Sequence, residues 1–272
     1  MWEIDFISEH DYTNHVKQTI NNYRSKYKPF DLDRFNQNII DPVKLLFDKS
    51  IYGITWDEIV GAEIFRQRDK SNNNSLGYFH QGVFNYIDKC HVPSNGTEGG
   101  WDVIFEDSDG IYIPEADITV RTIYVEMKNK HNTMNSASAA ATYNKMQRQL
   151  LDDDSCACFL VEVIAGESQN IKWETTVNGQ KVSHKNIRRV SIDRFYALVT
   201  GQKDAFYKVC MALPDVIDNV VNNLEDPINS KDTVMTEIRA ISSKQKEDND
   251  DLRVAKTMFK LGFETYLGFD KE

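Results

Sequence analysis

From residue 1 to about residue 90 the apolar positions follow mixed helical spacing. Phe30 to Phe47 carries one such pattern. Thr55-Trp56-Asp57-Glu58 is a capping box, in which the Thr55 hydroxyl takes one orphan amide while the Glu58 carboxylate reaches back. It opens a run, Ile59, Val60, Ala62, Ile64 and Phe65, with helical period. Asn72-Asn73-Asn74-Ser75 predicts an interruption, and Leu76 to Ile87 a further helix with Phe79, Val83, Phe84 and Ile87 on one side.

Residues 93–100, PSNGTEGG, form a loop by composition, and beyond them the period becomes strand-like. Trp101 to Glu106 and Thr122 to Lys128 predict strands. The turn-rich piece between them, with Asp107 to Gly110 and Pro114, has room for a short extra strand. After the polar stretch Asn129 to Asn135, Ser136 to Leu151 is rich in good helix formers. Cys158 to Ile164 and Ile171 to Val177 read as strands, and Asn178-Gly179 is a two-residue hairpin signal leading to a third strand near Lys181. Ser191 predicts the N-cap of a helix ending at Gly201. Helical spacing then resumes, with breaks predicted at Pro214 and Asp226-Pro227 and a terminal helix from Asp251 to Leu267. The order predicts an α/β core over residues 91–201, a mainly helical N-terminal part over 1–90, and C-terminal helices over 202–272 packing with that part.

Composition adds bounds. A chain of 272 residues, 40% apolar and 27% charged, is long enough for one large domain or two modest ones with a real core. No stretch approaches the ~18 consecutive apolar residues of a membrane span. The opening MWEIDFISEH has no basic region and does not read as a secretory signal. Cys90, Cys156, Cys158 and Cys210 lack metal-knuckle spacing, so buried, reduced thiols in a cytoplasmic protein are expected. The net charge of −10 argues weakly against a nucleic-acid partner. Yet Lys181, Lys185, Arg188, Arg189 and Arg194 face only Asp193 within residues 181–194. An acidic protein with a basic stripe suits a small, enclosed phosphate-facing surface.

The candidate chemistry lies in Trp101-Asp102-Val103-Ile104-Phe105 and Tyr124-Val125-Glu126-Met127-Lys128. Alternate side chains of a strand share a face, so Glu126 and Lys128 point one way while Val125 and Met127 point to the core. A symmetric hairpin about Pro114 sets Asp102 opposite Glu126. Two such carboxylates repel unless positive charge sits between them, and a hard cation such as Mg²⁺ takes one or two carboxylates and keeps its waters. Such an ion polarises a phosphodiester, and Lys128 beside it would orient the attacking water. The bland alternative for Glu126-Met127-Lys128, the one acid-x-Lys triplet in the chain, is a cross-strand ion pair.

Trp101-Asp102-Val103-Ile104 followed by Val125-Glu126-Met127-Lys128 resembles the PD-(D/E)XK nuclease signature, with Trp101 in place of the proline. More narrowly, residues 126–136 (EMKNKHNTMNS), residues 66–81 (RQRDKSNNNSLGYFHQ) and the opening Trp2 to Ser8 resemble type II restriction endonucleases that cut GGNCC-type interrupted palindromes. The likeness extends to about Gly201. It implies a restriction-endonuclease-like α/β core with a central mixed sheet flanked by helices, plus an N- and C-terminal helical lobe. It also implies a homodimeric, Mg²⁺-dependent enzyme that hydrolyses both strands of DNA to 5′-phosphate and 3′-hydroxyl ends. Asp102, Glu126 and the Met127 carbonyl would hold the metal, and Lys128 would position water. The stretch from Asp102 to Glu126 is long for the motif, so a different hairpin register would make Asp109 or Asp117 the first carboxylate. Two rival readings are a structure-selective or repair nuclease without sequence preference, and a DNA-binding module whose acids and lysine form a surface network.

Other residues carry paired readings. Glu63 is an extra acid near the metal, as an early helix of this superfamily often supplies, or a solvated helix charge. His80 and Gln81 lie near phosphate or metal, or are structural. Asn129, Lys130, His131, Asn132, Thr133 and Asn135 suit phosphate contacts ahead of a helix N-terminus, or form a plain polar loop. Lys145, Gln147 and Arg148 brace the site or face solvent. Arg66, Arg68, Lys70, Arg188 and Arg189 are candidates for guanine contacts, or are phosphate contacts or surface charge.

Overall fold

A computed structural model of the chain describes residues 2–26, 28–131, 133–224 and 231–264. Packing divides the chain into two units, Met1–Ile20 with Ser75–Leu224, and Asn21–Asn74 with Glu225–Glu272.

The first unit is built on a six-stranded mixed sheet. Its strands, numbered in chain order, are β1 (Cys90–His91), β2 (Val103–Ile113), β3 (Ile118–Lys130), β4 (Cys156–Ile164), β5 (Asn170–Val177) and β6 (Gln180–Ser191). Across the sheet they run β1-β2-β3-β4-β6-β5. The β3–β4 and β4–β6 pairs are parallel and the others antiparallel.

The β2–β3 hairpin is longer than its sequence pattern suggests, because both strands extend through the turn-rich segment to a tight turn at residues 114–117. A bulge between Glu106 and Ile111 absorbs the polar insertion. Gly110 lies there at φ 97°, and a Cβ on it would come within 2.8 Å of Thr119 Cγ2, so the position needs glycine. The β5–β6 turn is as expected, with Asn178 at φ 49° and Gly179 at φ 79°, the positive pair of a two-residue hairpin loop.

Helix α5 (Ser136–Asp152) joins β3 to β4, and its N-cap Asn135 accepts from Ser138 N–H at 2.9 Å. On one face of the sheet Val125, Phe159 and Val190 pack with Tyr12, Phe84 and Phe195. On the other, Leu160, Ile187 and Trp101 pack with Tyr143 and Met146 of α5. Both faces of β4 are therefore covered, which explains its unbroken apolar run. Val125 and Met127 belong to the first face. Helix α6 (Ile192–Thr200) ends at Gly201 as expected, φ 71°. Its N-cap Ser191 makes no side-chain cap bond, and its hydroxyl bonds instead to the Asp193 carboxylate and the Gln169 carbonyl.

The second unit holds helices α2 (Leu32–Asn36), α3 (Pro42–Tyr52), α8 (Val234–Ser242) and α9 (Asp250–Gly262), with Phe35, Trp56, Val60, Ile238 and Met258 in its core. Arg68 pairs with Asp232, which also accepts from Phe30 N–H at 2.9 Å. Helix α1 (Glu9–Lys26) and helix α4 (Trp56–Gly82) each contribute residues to both units.

Two predicted breaks do not occur. Helix α4 passes through Asn72–Ser75, since Asn and Ser each cost less than ~1 kcal/mol in a helix and Ser75 is buried. Helix α7 (Ala205–Asn222) runs through the exposed Pro214, where the lost bond costs ~3 kcal/mol and the buried stripe Val209, Val216 and Val220 opposes that loss. The capping box forms as predicted, with Thr55 N–H donating to Glu58 at 2.8 Å and Glu58 N–H to Thr55 Oγ1 at 3.3 Å. Asp226-Pro227 and the end of the predicted terminal helix lie outside the described residues. The four cysteines are free, and no described helix is long and apolar enough to cross a membrane.

Phe159 is fully buried between its neighbours in the sheet and Phe195. Phe159→Ala is expected to cost ~3–5 kcal/mol in urea denaturation, against less than ~0.5 kcal/mol for the exposed Leu151→Ala. Equal losses would show that the sheet core does not carry the stability of this unit.

Candidate active site

The β2–β3 register sets the site. Val103 pairs with Val125 at the end of the ladder, and Asp102, just before it, lies close enough to Glu126 to feel its charge. Asp109 lies in the bulge between Glu106 and Ile111 and Asp117 in the turn at the far end of the hairpin, where it accepts from the Tyr112 hydroxyl. Asp102 is fixed through its backbone, whose N–H donates to the Val125 carbonyl at 2.9 Å. Its Oδ2 accepts from Met127 N–H at 2.6 Å. The N–H and C=O of one strand residue point the same way, so the Met127 carbonyl also faces the place where β2 begins.

Glu126 is held at both oxygens. Lys128 Nζ donates to Oε1 at 2.7 Å and Lys145 Nζ, from α5, to Oε2 at 2.9 Å. Lys145 also donates to the Gly100 carbonyl at 2.7 Å and lies 4.0 Å over the Trp101 ring. Trp101 Nε1–H donates to Gln149 Oε1 at 3.1 Å. The electrostatics follow. Burial, helped by the Glu126 charge, pushes the Asp102 carboxyl above its usual range despite the Met127 N–H. Burial also pushes Glu126 up, but its two lysines outweigh this and hold it below the usual range.

These atoms fit a hard divalent cation. Two carboxylates and a carbonyl offer oxygen donors. Among the described residues no group of three or more His, Cys, Asp or Glu side chains could hold an ion, so the remaining ligands would be water and substrate oxygen. Beside Asp102 opens a cleft of about 290 Å³, walled by Tyr78 and Gln81 of α4, Trp101 and the loop through Asn95. Gln81 thus shares the cleft with Asp102. His80 does not line it; its ring meets the Phe79 ring edge, and burial, with His15 nearby, lowers its pKa to about 4.

The other candidates are dispersed. Lys130 is exposed at the end of β3 and Asn129 is half-buried before it. Asn132 lies outside the described residues. His131 turns inward, its Nδ1 within 3.0 Å of Glu162 Oε2 and 2.7 Å of Arg189 Nη2. Arg189 is thereby tied to Glu162. Arg188 is buried, donating to Asn170 Oδ1 at 2.5 Å and to the Asn170 carbonyl at 2.6 Å. In the second unit, Glu63 is bound by Arg66 at 2.6 Å and Gln67 at 3.1 Å, Arg68 by Asp232, and Lys70 is exposed. Gln147 and Arg148 line a separate cleft with His184 and Asn186.

Glu162 went unnoticed in the sequence, although an acid inside the apolar run CFLVEVI was its signal. It pairs in register with Lys128 and is 1% exposed. The Trp101–Gln149 bond had no sequence signal, being a tertiary contact between residues 48 apart.

A mixed sheet flanked by helices, with opposed carboxylates and an adjacent lysine where β2 begins, defines an α/β protein with a restriction-endonuclease-like core. Residues 4–222 match the Eco47II restriction endonuclease family, and the chain belongs to it. It is 28% identical over 225 residues to the type II restriction enzyme Sau96I of Staphylococcus aureus, covering 79% of this chain and 80% of that protein. It is 26% identical over 229 residues to the type II restriction enzyme Eco47II of Escherichia coli, covering 80% and 88%. The chain is therefore a type II restriction endonuclease, a hydrolase acting at specific sites on DNA, and enzymes of this kind generally need a divalent metal.

Glu162 supplies a test of the packing beside the site. Burial pushes its carboxyl up, but hydrogen bonds from Arg189 and His131 outweigh burial and hold it below the usual range. Its folded pKa is thus below the unfolded value of about 4.3, so its contribution is present above that pH and lost as pH falls through the folded value. Glu162→Gln, which strands Arg189, is expected to lose ~3–5 kcal/mol at pH 7 and to show a flatter stability curve between pH ~5 and ~3. Parallel curves for the two proteins would remove Glu162 from the acid response.

Proposed function

We propose that this enzyme cuts both strands of DNA at a GGNCC-type interrupted palindrome, with Mg²⁺ as its cation and Asp102, Glu126 and Lys128 as its catalytic residues. The observation that supports the proposal is the β2–β3 pairing at Val103 and Val125, with Asp102 beside Glu126 and both lysines on that carboxylate. Asp102, Glu126 and the Met127 carbonyl would hold the metal. When bound, it polarises the phosphodiester and stabilises the charge that builds on phosphorus and on the leaving oxygen.

The side chains do the rest. Lys128 has a half-exposed ammonium on the same strand face as Glu126, and it orients water for attack on phosphorus. Water adds to phosphorus and gives up a proton to solvent, the bond to O3′ breaks with its electron pair on O3′, and O3′ takes a proton from solvent, leaving 5′-phosphate and 3′-hydroxyl ends. Lys130 and Asn129 follow on β3 and suit phosphate contacts, with Asn132 as a further candidate. Gln81, in the cleft beside Asp102, is placed to meet the DNA backbone. For base reading, exposed Arg66 and Lys70 serve better than Arg188, whose guanidinium is inside the fold.

A two-fold target is matched by a two-fold enzyme, so a homodimer with one site per strand follows, each subunit reading its half-site around the unspecified base. The helical parts outside residues 91–201 would supply dimer contacts and DNA grip. The cytoplasm, where the DNA is, is its place of action.

Digestion of a sequenced plasmid with end mapping tests the reading. Discrete bands at one palindrome are expected; a smear means a nuclease without sequence preference, and uncut DNA under every divalent metal means a binding module. Lys128→Ala is expected to lower cleavage by at least ~10²-fold while site-specific binding in Ca²⁺ is kept. Asp102→Asn should weaken metal binding, and Asp109→Asn and Asp117→Asn should leave it unchanged; the reverse would move the first carboxylate along the hairpin.

A further inference from the structure

The site holds one ammonium more than the proposed hydrolysis uses. Lys128 and Lys145 both sit on Glu126, yet their surroundings differ. Lys128 is joined to Glu126 by a hydrogen bond of 2.7 Å. Lys145 is anchored at three points: Glu126 Oε2 at 2.9 Å, the Gly100 carbonyl at 2.7 Å and the Trp101 ring at 4.0 Å. If Glu126 turned to another partner, Lys145 would keep two of these holds.

Those two holds fall on the residues that lead into Asp102. Lys145 and Gln149 are one turn apart on the same face of α5. Lys145 covers the Trp101 ring and Gln149 binds its edge N–H at 3.1 Å. Trp101 is 3% exposed, and α5 is itself seated by Tyr143 and Met146, both fully buried. The Trp101 side chain is thus gripped at face and edge by a helix that cannot shift freely, and Asp102 follows directly.

We propose that Lys145 is the positioning residue of this centre. It ties α5 to the Gly100–Trp101 segment and so fixes Asp102 against Glu126, and its charge contests Glu126 Oε2 with an arriving cation. The proposal rests on the metal-dependent nuclease reading above. It separates two effects that other roles would couple. Loss of Lys145 removes a positive charge beside the cation's ligands, which favours cation binding. The same loss loosens the segment before Asp102 while the Met127 N–H keeps its hold on that carboxylate, so the ligand stays beside the cation, but a small misplacement of a reacting constellation lowers the rate steeply. Affinity and turnover should therefore move in opposite directions.

The test uses the full chain. Ca²⁺ is titrated calorimetrically without DNA, and single-turnover cleavage of a duplex carrying the site is timed in Mg²⁺. For Lys145→Met, Ca²⁺ affinity is expected to rise by at least about threefold. Its cleavage rate is expected to fall ~10²-fold, with duplex affinity in Ca²⁺ unchanged. Lys145→Arg, which keeps charge and reach, is expected to stay within about tenfold of the parent in rate. If the methionine variant does not fold, Lys145→Gln is read in its place. Unchanged cleavage, a joint fall of Ca²⁺ affinity and rate, or no Ca²⁺ uptake by the parent each overturns the proposal. A parent that takes up Ca²⁺ but cuts no DNA overturns the nuclease reading instead, and the Ca²⁺ titration then still decides whether Lys145 contests the cation.

Discussion

Two carboxylates brought face to face across a β-hairpin repel, and the fold must hold them there. Asp102 and Glu126 are placed by backbone pairing, through the Val103–Val125 register and the Asp102 N–H on the Val125 carbonyl. The ladder brings the two residues together, and the contacts around Gly100 and Trp101 hold the segment that carries Asp102. The charge is met locally by Lys128 and Lys145 on Glu126 and by the Met127 N–H on Asp102. The result is a poised arrangement, with one carboxyl pushed up by burial and the other held ionised by its lysines. A divalent cation is the chemically suited partner for such a pair.

The rest of the first unit keeps that pair in place. Apolar side chains cover both faces of the sheet, which fixes β3 and β4 from either side. Helix α5 connects them and also reaches back over Trp101, so the crossover that makes β3 and β4 parallel doubles as the clamp of the site. On the far side of Lys128, buried Glu162 binds Arg189 and His131 and ties the segment after β3 to β4 and β6. Membership of a restriction endonuclease family gives this geometry its chemical setting.

The sequence made the core legible where local pattern and tertiary environment agreed. The period-two strands, the Asn178-Gly179 turn, the capping box at Thr55 and the Gly201 stop all appear as written in the chain. The register at Val103 also matches, but by compensation: the turn centres between Glu115 and Ala116 rather than on Pro114, and the bulge between Glu106 and Ile111 takes up the difference. Breaks predicted from composition failed at Asn72–Ser75, where the local preferences are weak, and at Pro214, where the buried stripe of α7 opposes a larger local cost. Arginine destinations were the least legible. Arg188 and Arg189 look like a basic stripe, but adjacent strand residues face opposite sides of the sheet, and each found an internal partner there. Pairing of that kind is settled by strands distant in sequence and leaves no local trace.

A crystal of the enzyme with a GGNCC-containing duplex and Mn²⁺, read by anomalous scattering, locates the cation against these residues. The expected peak is bounded by Asp102, Glu126 and the Met127 carbonyl, against the scissile phosphate, with Lys128 turned from Glu126 toward the attacking water. A metal bound elsewhere, with Asp102 and Glu126 still closed by their lysines and the phosphate distant, would contradict it.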